Sequence, residues 1–284
     1  MKPIVAFQGE LGAYSELAAL EFFDRDVTVL PRSSFSGVFE AVGSGEADHG
    51  VIPIENSLTG SIHDNYDLLL SCDLVITGEI KLRITHNLLA NQGVRIEDLK
   101  KVYSHPQALS QCRDFLSTLE GVELVSVYDT AGAARRLSET GGRDEAAIAS
   151  GQAALDYGLA ILSAGIESNR KNFTRFLVLS RELAPPVENS KTSVVFATRN
   201  IPGALFKSLS VFALRDIDLY KIESRPIPGS PWEYMFYLDF NGDIRNDVTR
   251  RAIAHLEEIA SFLKVLGSYP KGKESVGRVQ ERNE

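Results

Sequence analysis

Residues 169–176 hold the densest group of side chains that could bind and protonate an anionic substrate. They read NRKNFTRF and place two amides, three cations and a hydroxyl directly before a strongly apolar strand. Arg175 could form two parallel hydrogen bonds to a carboxylate, and Thr174 beside it could donate a hydrogen bond to a leaving oxygen. A solvated turn ahead of the strand is the alternative interpretation.

Polar side chains also follow several apolar runs at the point where the next helix should begin. They are Glu55, Asn56, Ser57, Thr59 and Ser61, with Gly60 between the last two, then Ser104 and His105, then Asp129 and Thr130, and finally Ser150. Parallel α/β sheets bind ligands outside the carboxyl ends of their strands, where helix N-termini supply free N–H groups. The pattern therefore predicts a carboxylate-binding cleft. Each residue could instead serve only as a helix cap, and for His105 both roles stay open.

The remaining motifs argue against nucleotide, metal and disulfide chemistry. Residues 8–15, QGELGAYS, contain neither GxGxxG nor GxxxxGK[ST], so we expect a tight turn whose backbone donors face the cleft. The five histidines show no HxxxH or HExxH spacing, and the two cysteines form no CxxC. We therefore predict no metal site, and inert thiols at Cys72 and Cys112.

Charge and hydropathy limit the partners. The net charge of −8 opposes binding to nucleic-acid phosphates, although a few local donors could still bind a small anion. No stretch approaches the roughly 20 apolar residues that cross a bilayer, and the first residues do not resemble a secretory signal. We expect a cytoplasmic protein with neither a nucleic-acid nor a membrane partner.

The hydrophobic pattern predicts two domains. Over residues 1–183, short β-branched runs alternate with amphipathic stretches, which indicates an open, mostly parallel α/β architecture. Segments near residues 75–90 and 158–176 interrupt this series and are expected to cross between two lobes that enclose a ligand cleft. The predicted fold class is a bilobal, periplasmic-binding-protein-like (type II) α/β domain.

A break with two prolines over residues 184–190 precedes a second domain, predicted over residues 190–270. Its strands and helices follow the order βαββαβ, which is that of the α+β ferredoxin-like fold. The polar residues 271–284 are expected to form a flexible tail.

Five ordered motifs together resemble the prephenate dehydratase family. They are FQG with GAYS (residues 7–15), PIENS (53–57), SHPQA (104–108), DTAGAA (129–134) and NFTRF (172–176). The second domain resembles an ACT regulatory domain. Its phenylalanine-responsive signatures match Gly203, Ala204 and Leu205, and the run Glu223, Ser224, Arg225 and Pro226.

The resemblance implies a carbon–oxygen lyase that converts prephenate to phenylpyruvate, water and carbon dioxide on the route to phenylalanine. The ring C–O bond accepts the electrons of decarboxylation, so no cofactor is needed. The family's Thr-Arg-Phe motif maps onto Thr174, Arg175 and Phe176, with Thr174 as proton donor, Asn56 nearby, and Glu55 orienting Asn56 or contacting the hydroxyl. The expected substrate-binding residues are Ser57, Thr59, Gly60, Ser104, His105, Gln107, Thr130 and Ser150.

The ACT resemblance implies inhibition by L-phenylalanine, bound between subunits of a homodimer or homotetramer and shifting the cleft between open and closed states. The helix that begins at Ala204 would offer N–H groups to the amino-acid carboxylate, and Glu223 could meet the ammonium. An arogenate dehydratase, acting on an amino group in place of the keto oxygen, is the strongest alternative enzyme. A non-catalytic bilobal small-molecule sensor is a more distant one.

Overall fold

The computed structural model describes residues 2–227 and 229–280, apart from the side chain of Pro231. The chain divides into two compact units. The first unit comprises Met1–Asn65, Ile80–Phe176 and Lys273–Glu284, and the second comprises Tyr66–Glu79 and Leu177–Gly272. Residues 66–79, which the sequence pattern places in the first domain, therefore pack in the second unit.

Strands and helices alternate along the chain much as the hydrophobic pattern predicts. The strands are Ile4–Gln8 (β1), Thr28–Arg32 (β2), His49–Asn56 (β3), Gly60–Ser61 (β4), Val75–Arg83 (β5), Asn87–Ala90 (β6), Lys101–Ser104 (β7), Glu123–Ser126 (β8), Glu145–Ala149 (β9), Ala160–Ala164 (β10), Phe173–Ser180 (β11), Ser190–Thr198 (β12), Leu219–Ile227 (β13), Ser230–Asn241 (β14), Ala260–Pro270 (β15) and Lys273–Ser275 (β16). The helices are Tyr14–Phe22 (α1), Phe35–Ser44 (α2), His63–Ser71 (α3), Pro106–Gln111 (α4), Arg113–Leu116 (α5), Thr130–Thr140 (α6), Gly151–Asp156 (α7), Ala204–Ala213 (α8) and Asp247–Ile259 (α9), with a 3-10 turn at Ile96–Asp98.

Two mixed sheets organise the first unit. The first sheet has the order β16-β5-β11-β3-β1-β2, with β4 paired to β3, and β1 lies parallel to both β2 and β3. The second sheet has the order β10-β6-β9-β7-β8, in which β7 is parallel to its neighbours and β6 is antiparallel to β9 and β10. The predicted parallel pairs are present, and the crossing strands add antiparallel ones.

Apolar residues cover both faces of the second sheet. Leu88 and Val102 pack into one core cluster, whereas the next residues along the chain, Leu89 and Tyr103, pack into another. Adjacent side chains point to opposite faces of a strand, so consecutive apolar residues mark strands that are buried on both sides. This explains why these strands read as short continuous apolar runs rather than as alternating ones.

The second unit contains one antiparallel sheet with the order β13-β14-β12-β15, and α8 and α9 pack against its core. This confirms the predicted βαββαβ, ferredoxin-like arrangement. The sequence predicts strands over residues 219–223 and 234–240, and β13 and β14 extend beyond these bounds. Pro226 is tolerated inside β13 because β13 is the edge strand, and Gly229, at φ 80°, lies in the turn between the two strands.

The C-terminal residues correct the predicted flexible tail. Lys273–Ser275 pairs in parallel with residues 80–82 of β5. The N–H groups of Arg278 and Gln280 donate to the side chains of Glu21 and Gln152, each at 3.1 Å. These backbone hydrogen bonds order a polar segment that lacks any apolar pattern. Residues 281–284 of the predicted tail lie outside the described residues.

Candidate active site

A cavity of about 400 Å³ opens in the first unit, with walls from both of its sheets. This volume lies in the range of small-molecule sites. The strands of the first sheet contribute Asn56, Thr174 and Phe176 to the wall. The side of the second sheet contributes His105, which caps the start of α4, and Gln107 and Gln111, which lie within α4. The cavity therefore lies where the sequence predicts a ligand cleft between two lobes.

Thr174 and Asn56 form a hydrogen-bonded pair in the cavity wall. The N–H of Ser57 donates to the carbonyl of Phe173 at 2.8 Å, which joins the end of β3 to the start of β11. Across this junction, Asn56 Nδ2 donates to Thr174 Oγ1 at 3.0 Å. Both side chains are nearly buried, with 4% and 7% of their surface exposed. Because the Thr174 oxygen accepts this bond, its hydroxyl proton can be donated to a group in the cavity.

Thr59 and Gln107 extend this pair towards α4. Gln107 Nε2 donates to Thr59 Oγ1 at 2.8 Å, and Thr59 Oγ1 donates to Asn56 Oδ1 at 3.2 Å. Gln107 lines the cavity, whereas Thr59 lies one hydrogen bond behind it. The structure thus brings these two predicted residues together with Asn56.

His105 caps a helix and also lies in the cavity wall, and its contact with a ligand stays a prediction. Its side chain caps α4, since Nδ1 accepts from the N–H of Gln107 at 3.2 Å, and the residue also lines the cavity. Burial lowers the pKa of His105 below its ordinary value, which favours the neutral ring near pH 7. With Nδ1 accepting, the neutral ring carries its proton on Nε2, where it can serve as a hydrogen-bond donor.

Sequence reasoning did not single out His86 and Gln111, which line the same wall and are joined by Asn172, a buried residue outside it. Asn172 Nδ2 donates to Gln111 Oε1 at 2.9 Å, and His86 Nε2 lies 2.9 Å from the same oxygen. His86 Nδ1 lies 2.9 Å from the hydroxyl of Tyr14. Burial lowers the pKa of His86 and raises that of Tyr14, so both are neutral near pH 7. Gln111 follows Gln107 by four residues, and this helical spacing is a signal that could have revealed it.

Two predicted catalytic residues lie outside the cavity wall. Arg175 stands between Thr174 and Phe176, which both line the cavity, and alternation along β11 directs its side chain to the other face of the sheet. Glu55, which precedes Asn56 on β3, is not among the lining residues either. Both side chains have interaction partners. Their catalytic roles stay predictions.

Several predicted substrate-binding hydroxyls instead hold the backbone. Ser104 Oγ donates to a strand carbonyl at 2.7 Å, and Ser150 Oγ donates to the carbonyl of Gly12 at 2.6 Å while it caps α7. Ser57 Oγ donates to a carbonyl at 2.9 Å and accepts an N–H at 3.0 Å. Together with Gly60, which takes φ 84° between β3 and β4, these residues lie outside the cavity wall.

The wall is almost free of formal charge. Asp129 contributes a carboxylate, which caps α6 through the N–H of Gly132, and burial raises its pKa. Thr130 stands beside it at the start of α6. Among the described residues, no Lys or Arg lines the cavity, so amides, hydroxyls, imidazoles and backbone N–H groups are the donors that an anion would meet.

Two absences hold for the described part of the chain. Residues 2–227 and 229–280 contain no group of three His, Cys, Asp or Glu side chains that could hold a metal ion. Over the same residues, no helix has the length and apolar character needed to span a bilayer.

The second unit has its own pocket of about 260 Å³ at the start of α8. Gly203, at φ 77°, lines this pocket with Ala204 and Leu205, and the role of these three residues in effector binding stays a prediction. The run 223–226 lies outside its wall. Instead, Arg225 Nη2 donates to both carboxylate oxygens of Asp67, at 2.9 and 2.7 Å.

The fold and the cavity define a two-lobed α/β domain with a small-molecule site, joined to a ferredoxin-like domain. A sequence model of the prephenate dehydratase family matches residues 5–184, and the chain belongs to this family. It is a dehydratase, that is, a carbon–oxygen lyase of aromatic amino-acid biosynthesis. The family, fold class and enzyme class predicted from the sequence are thus confirmed.

Similar proteins share most of the chain. It is 50% identical over 277 residues to arogenate dehydratase/prephenate dehydratase 2 of Arabidopsis thaliana, a chloroplastic protein, covering 94% of this chain and 72% of the relative. The prephenate dehydratase of Arthrobacter aurescens in complex with L-Phe superposes with a TM-score of 0.86 at 33% identity, covering 94% of this chain and 89% of that one. GqqA, described as a novel type of quorum-quenching acylase, gives a TM-score of 0.86 at 35% identity, over 94% and 98% of the two chains.

Proposed function

We propose that this dehydratase converts prephenate to phenylpyruvate, water and carbon dioxide, with Thr174 as the group that assists departure of the ring hydroxyl. The observation that carries the proposal is the hydrogen bond from Asn56 Nδ2 to Thr174 Oγ1, which leaves the hydroxyl proton for the cavity. The C–C bond to the ring carboxylate breaks and releases carbon dioxide. Its electron pair moves through the ring, which becomes aromatic, and the C–O bond breaks. The departing oxygen takes up a proton and leaves as water.

The rest of the wall would hold the dianionic substrate. His105 Nε2, Thr130 and Gln107 provide donors on the side of the second sheet, opposite Thr174. A threonine hydroxyl has a pKa far above neutral, so Thr174 acts as a positioned hydrogen-bond donor or relay rather than as a strong acid. Positioned proton donation of this kind typically accelerates a reaction about 10²- to 10⁴-fold.

Arogenate dehydration is the second candidate, and two observations favour it. Similar plant proteins are named arogenate dehydratases, and the carboxyl of Asp129 lies in the wall where it could meet the ammonium group that arogenate carries. Acyl transfer receives less support. Among the described residues, the Thr174 hydroxyl has no imidazole or carboxylate as hydrogen-bond partner to activate it as a nucleophile.

Initial-rate kinetics on both substrates test the proposal. We expect kcat/KM for prephenate to exceed the value for arogenate by at least about tenfold, which corresponds to about 1.4 kcal/mol of transition-state discrimination. The reverse ratio would assign the chain to arogenate. Turnover of neither substrate by folded protein would refute both candidates.

Phenylalanine inhibition is the regulatory part of the proposal. The pocket of the second unit lies at the start of the ten-residue helix α8, whose first N–H groups have no side-chain cap and suit an amino-acid carboxylate. Phe206 and Trp232 add apolar surface that suits an aromatic side chain. The similar Arthrobacter protein was crystallised with L-Phe.

Residues 66–79 provide a route by which the second unit could act on catalysis. This segment belongs to the second unit, yet it continues at both ends into the first, through α3 and β5. The second unit holds it by the Arg225–Asp67 pair, by Lys264, which donates to the carbonyls of Leu69 and Leu70 at 3.1 and 2.9 Å, and by a 2.7 Å ion pair from Lys191 to Glu79. A shift of the second unit on phenylalanine binding would therefore move the first crossing between the lobes.

The effector claim is tested by titrating L-phenylalanine into the turnover assay while quaternary structure is followed by light scattering. We expect inhibition with a change of assembly or shape, because a ligand shifts a conformational equilibrium only by its differential affinity. Unchanged rate and assembly at millimolar phenylalanine would remove the claim. The homodimer or homotetramer and the cytoplasmic location stay predictions.

A further inference from the structure

The orientation of the Asn56 amide is fixed by the backbone. Its Oδ1 accepts from the N–H groups of Leu58 and Thr59, at 3.0 and 3.1 Å. These donors cannot be reversed, so the other end of the amide, Nδ2, must be the end that points at Thr174 and Asn172. Two backbone N–H groups at the end of β3 therefore determine the direction of the hydrogen bonds in the cavity wall.

Asn172 continues the same direction of hydrogen bonding, from donor to acceptor. Asn56 Nδ2 donates to Asn172 Oδ1 at 2.8 Å, which leaves Asn172 Nδ2 to donate to Gln111 Oε1 at 2.9 Å. Asn172 is fully buried, so no solvent is present to satisfy its amide if it turned over. Each amide in this series can have only one orientation.

The series determines the protonation of His86. Gln111 Oε1 already accepts from Asn172, and His86 Nε2 lies 2.9 Å from it, so Nε2 must carry a proton. His86 is 2% exposed, and its neutral form then has an unprotonated Nδ1 at 2.9 Å from the Tyr14 hydroxyl, whose one proton is shared between this nitrogen and the carbonyl of Thr85 at 2.8 Å. Gln111 Nε2 is buried without a partner among the described residues. Turning the Gln111 amide would bring its Nε2 against Asn172 Nδ2, which Asn56 already fixes as a donor.

We propose that Asn172, Gln111 and His86 are positioning residues that hold the Asn56 Nδ2 group at hydrogen-bond distance from Thr174 Oγ1, and hence keep the Thr174 hydroxyl donating into the cavity. This proposal rests on the proposed function, in which that hydroxyl assists the leaving oxygen. Without the acceptor at Gln111, Asn172 can turn over and present a donor to Asn56. Because the backbone N–H groups at Oδ1 prevent the Asn56 amide from turning, its Nδ2 would then face another donor and would be displaced from Thr174 Oγ1.

The test compares Gln111→Leu with Gln111→Glu. The leucine variant removes the acceptor, and we expect kcat to fall about 10- to 100-fold with KM changed less than about threefold, since the contact acts on the transition state rather than on substrate binding. The glutamate variant keeps an oxygen at the same place, so kcat recovers to within about threefold of wild type. Its charge also raises the pKa of His86, which NMR titration of the ring measures.

Asn91→Leu is the matched control. Asn91 Nδ2 donates to two backbone carbonyls at 3.0 Å, outside the cavity wall, so its loss lowers stability without changing kcat. Parental kcat in folded Gln111→Leu would overturn the proposal, as would equal losses in the leucine and glutamate variants. If Gln111→Leu does not fold, ¹⁵N shifts of His86 in the wild type decide the question. The Nε2–H tautomer supports the series and the Nδ1–H tautomer refutes it.

Failure of this inference differs from failure of the proposed function. Wild-type protein that turns over neither prephenate nor arogenate would overturn the function itself. Wild-type turnover with an unaffected Gln111→Leu variant would overturn only the positioning role.

Discussion

Under the proposed inhibition by phenylalanine, the hydrogen-bonded pair between Arg225 and Asp67 predicts how effector binding would be transmitted. The family signature suggests that Arg225 belongs to the effector site, but in the structure its guanidinium binds Asp67 at 2.9 and 2.7 Å. Asp67 lies in the 66–79 segment that leads into the first unit. We therefore expect Arg225→Ala and Asp67→Ala to weaken inhibition to a similar extent, and the double variant to be little worse than either.

The size of the effect follows from the exposure of the pair. The two side chains are 17% and 50% exposed, so solvent screens the charge-assisted bonds and about 1 kcal/mol of coupling is expected from a double-mutant cycle. That corresponds to about a fivefold rise in the inhibition constant for phenylalanine. The rate without phenylalanine should change less than about twofold.

Inhibition curves for the four proteins of the cycle provide the assay, and the exposed Arg250–Asp247 pair on α9 provides the control. Coupling in that control should be close to zero. If Arg225→Ala weakened inhibition while Asp67→Ala did not, Arg225 would contact the effector directly and the transmission argument would be refuted.

Two further predictions concern stability. Because burial lowers the folded-state pKa of His86, the stability that the neutral ring contributes is complete above its ordinary pKa of about 6.5 and is lost as the pH falls through the lowered folded value. Between pH 7.5 and pH 5.5, the free energy of unfolding measured with urea should therefore fall less in His86→Asn than in wild type. Equal falls in the two proteins would contradict the assignment. Ser150→Ala should cost about 1–2 kcal/mol, because it removes both a cap of α7 and the bond to Gly12, yet leave KM within about twofold. A large rise in KM at unchanged stability would restore the substrate contact that the sequence predicts for Ser150.

The sequence predicts the fold well because the spacing of apolar residues and the positions of turn-forming residues are local properties. The apolar runs at 51–54 and 146–149 are strands, and the βαββαβ order after residue 190 is a ferredoxin-like sheet. Segments held by partners distant in sequence are predicted poorly. Residues 66–79 and 273–275 owe their positions to contacts with residues far along the chain, which no local pattern encodes.

The candidate site is predicted only in part, because local patterns again do not encode contacts between residues that are distant in sequence. Asn56, His105, Gln107, Thr130 and Thr174 were recognisable from strand ends and motifs, and they lie in the cavity wall or along its hydrogen bonds. Gln111 and His86 belong to none of the five motifs. Their place in the site comes from hydrogen bonds to Asn172 and Tyr14, which are distant in sequence.

Motif membership also does not reveal which way a side chain points. Arg175 and Thr174 are neighbours in one motif, but consecutive residues of a strand face opposite sides of the sheet. Only Thr174 of this pair lines the cavity.

Turnover of prephenate by Thr174→Val tests the central claim most directly. Valine keeps the branched shape and the strand propensity but removes the hydroxyl, whereas Thr174→Ser keeps the hydroxyl, and Thr140→Val removes one that bonds only within α6. We predict a loss in kcat of about 100-fold or more for Thr174→Val, with the fold retained, and near-parental rates for the other two variants. Since valine also removes the acceptor of the buried Asn56 amide, some loss of stability is expected, and the comparison is made at a temperature where the variant is folded. Folded Thr174→Val that forms phenylpyruvate at the parental rate would contradict the account.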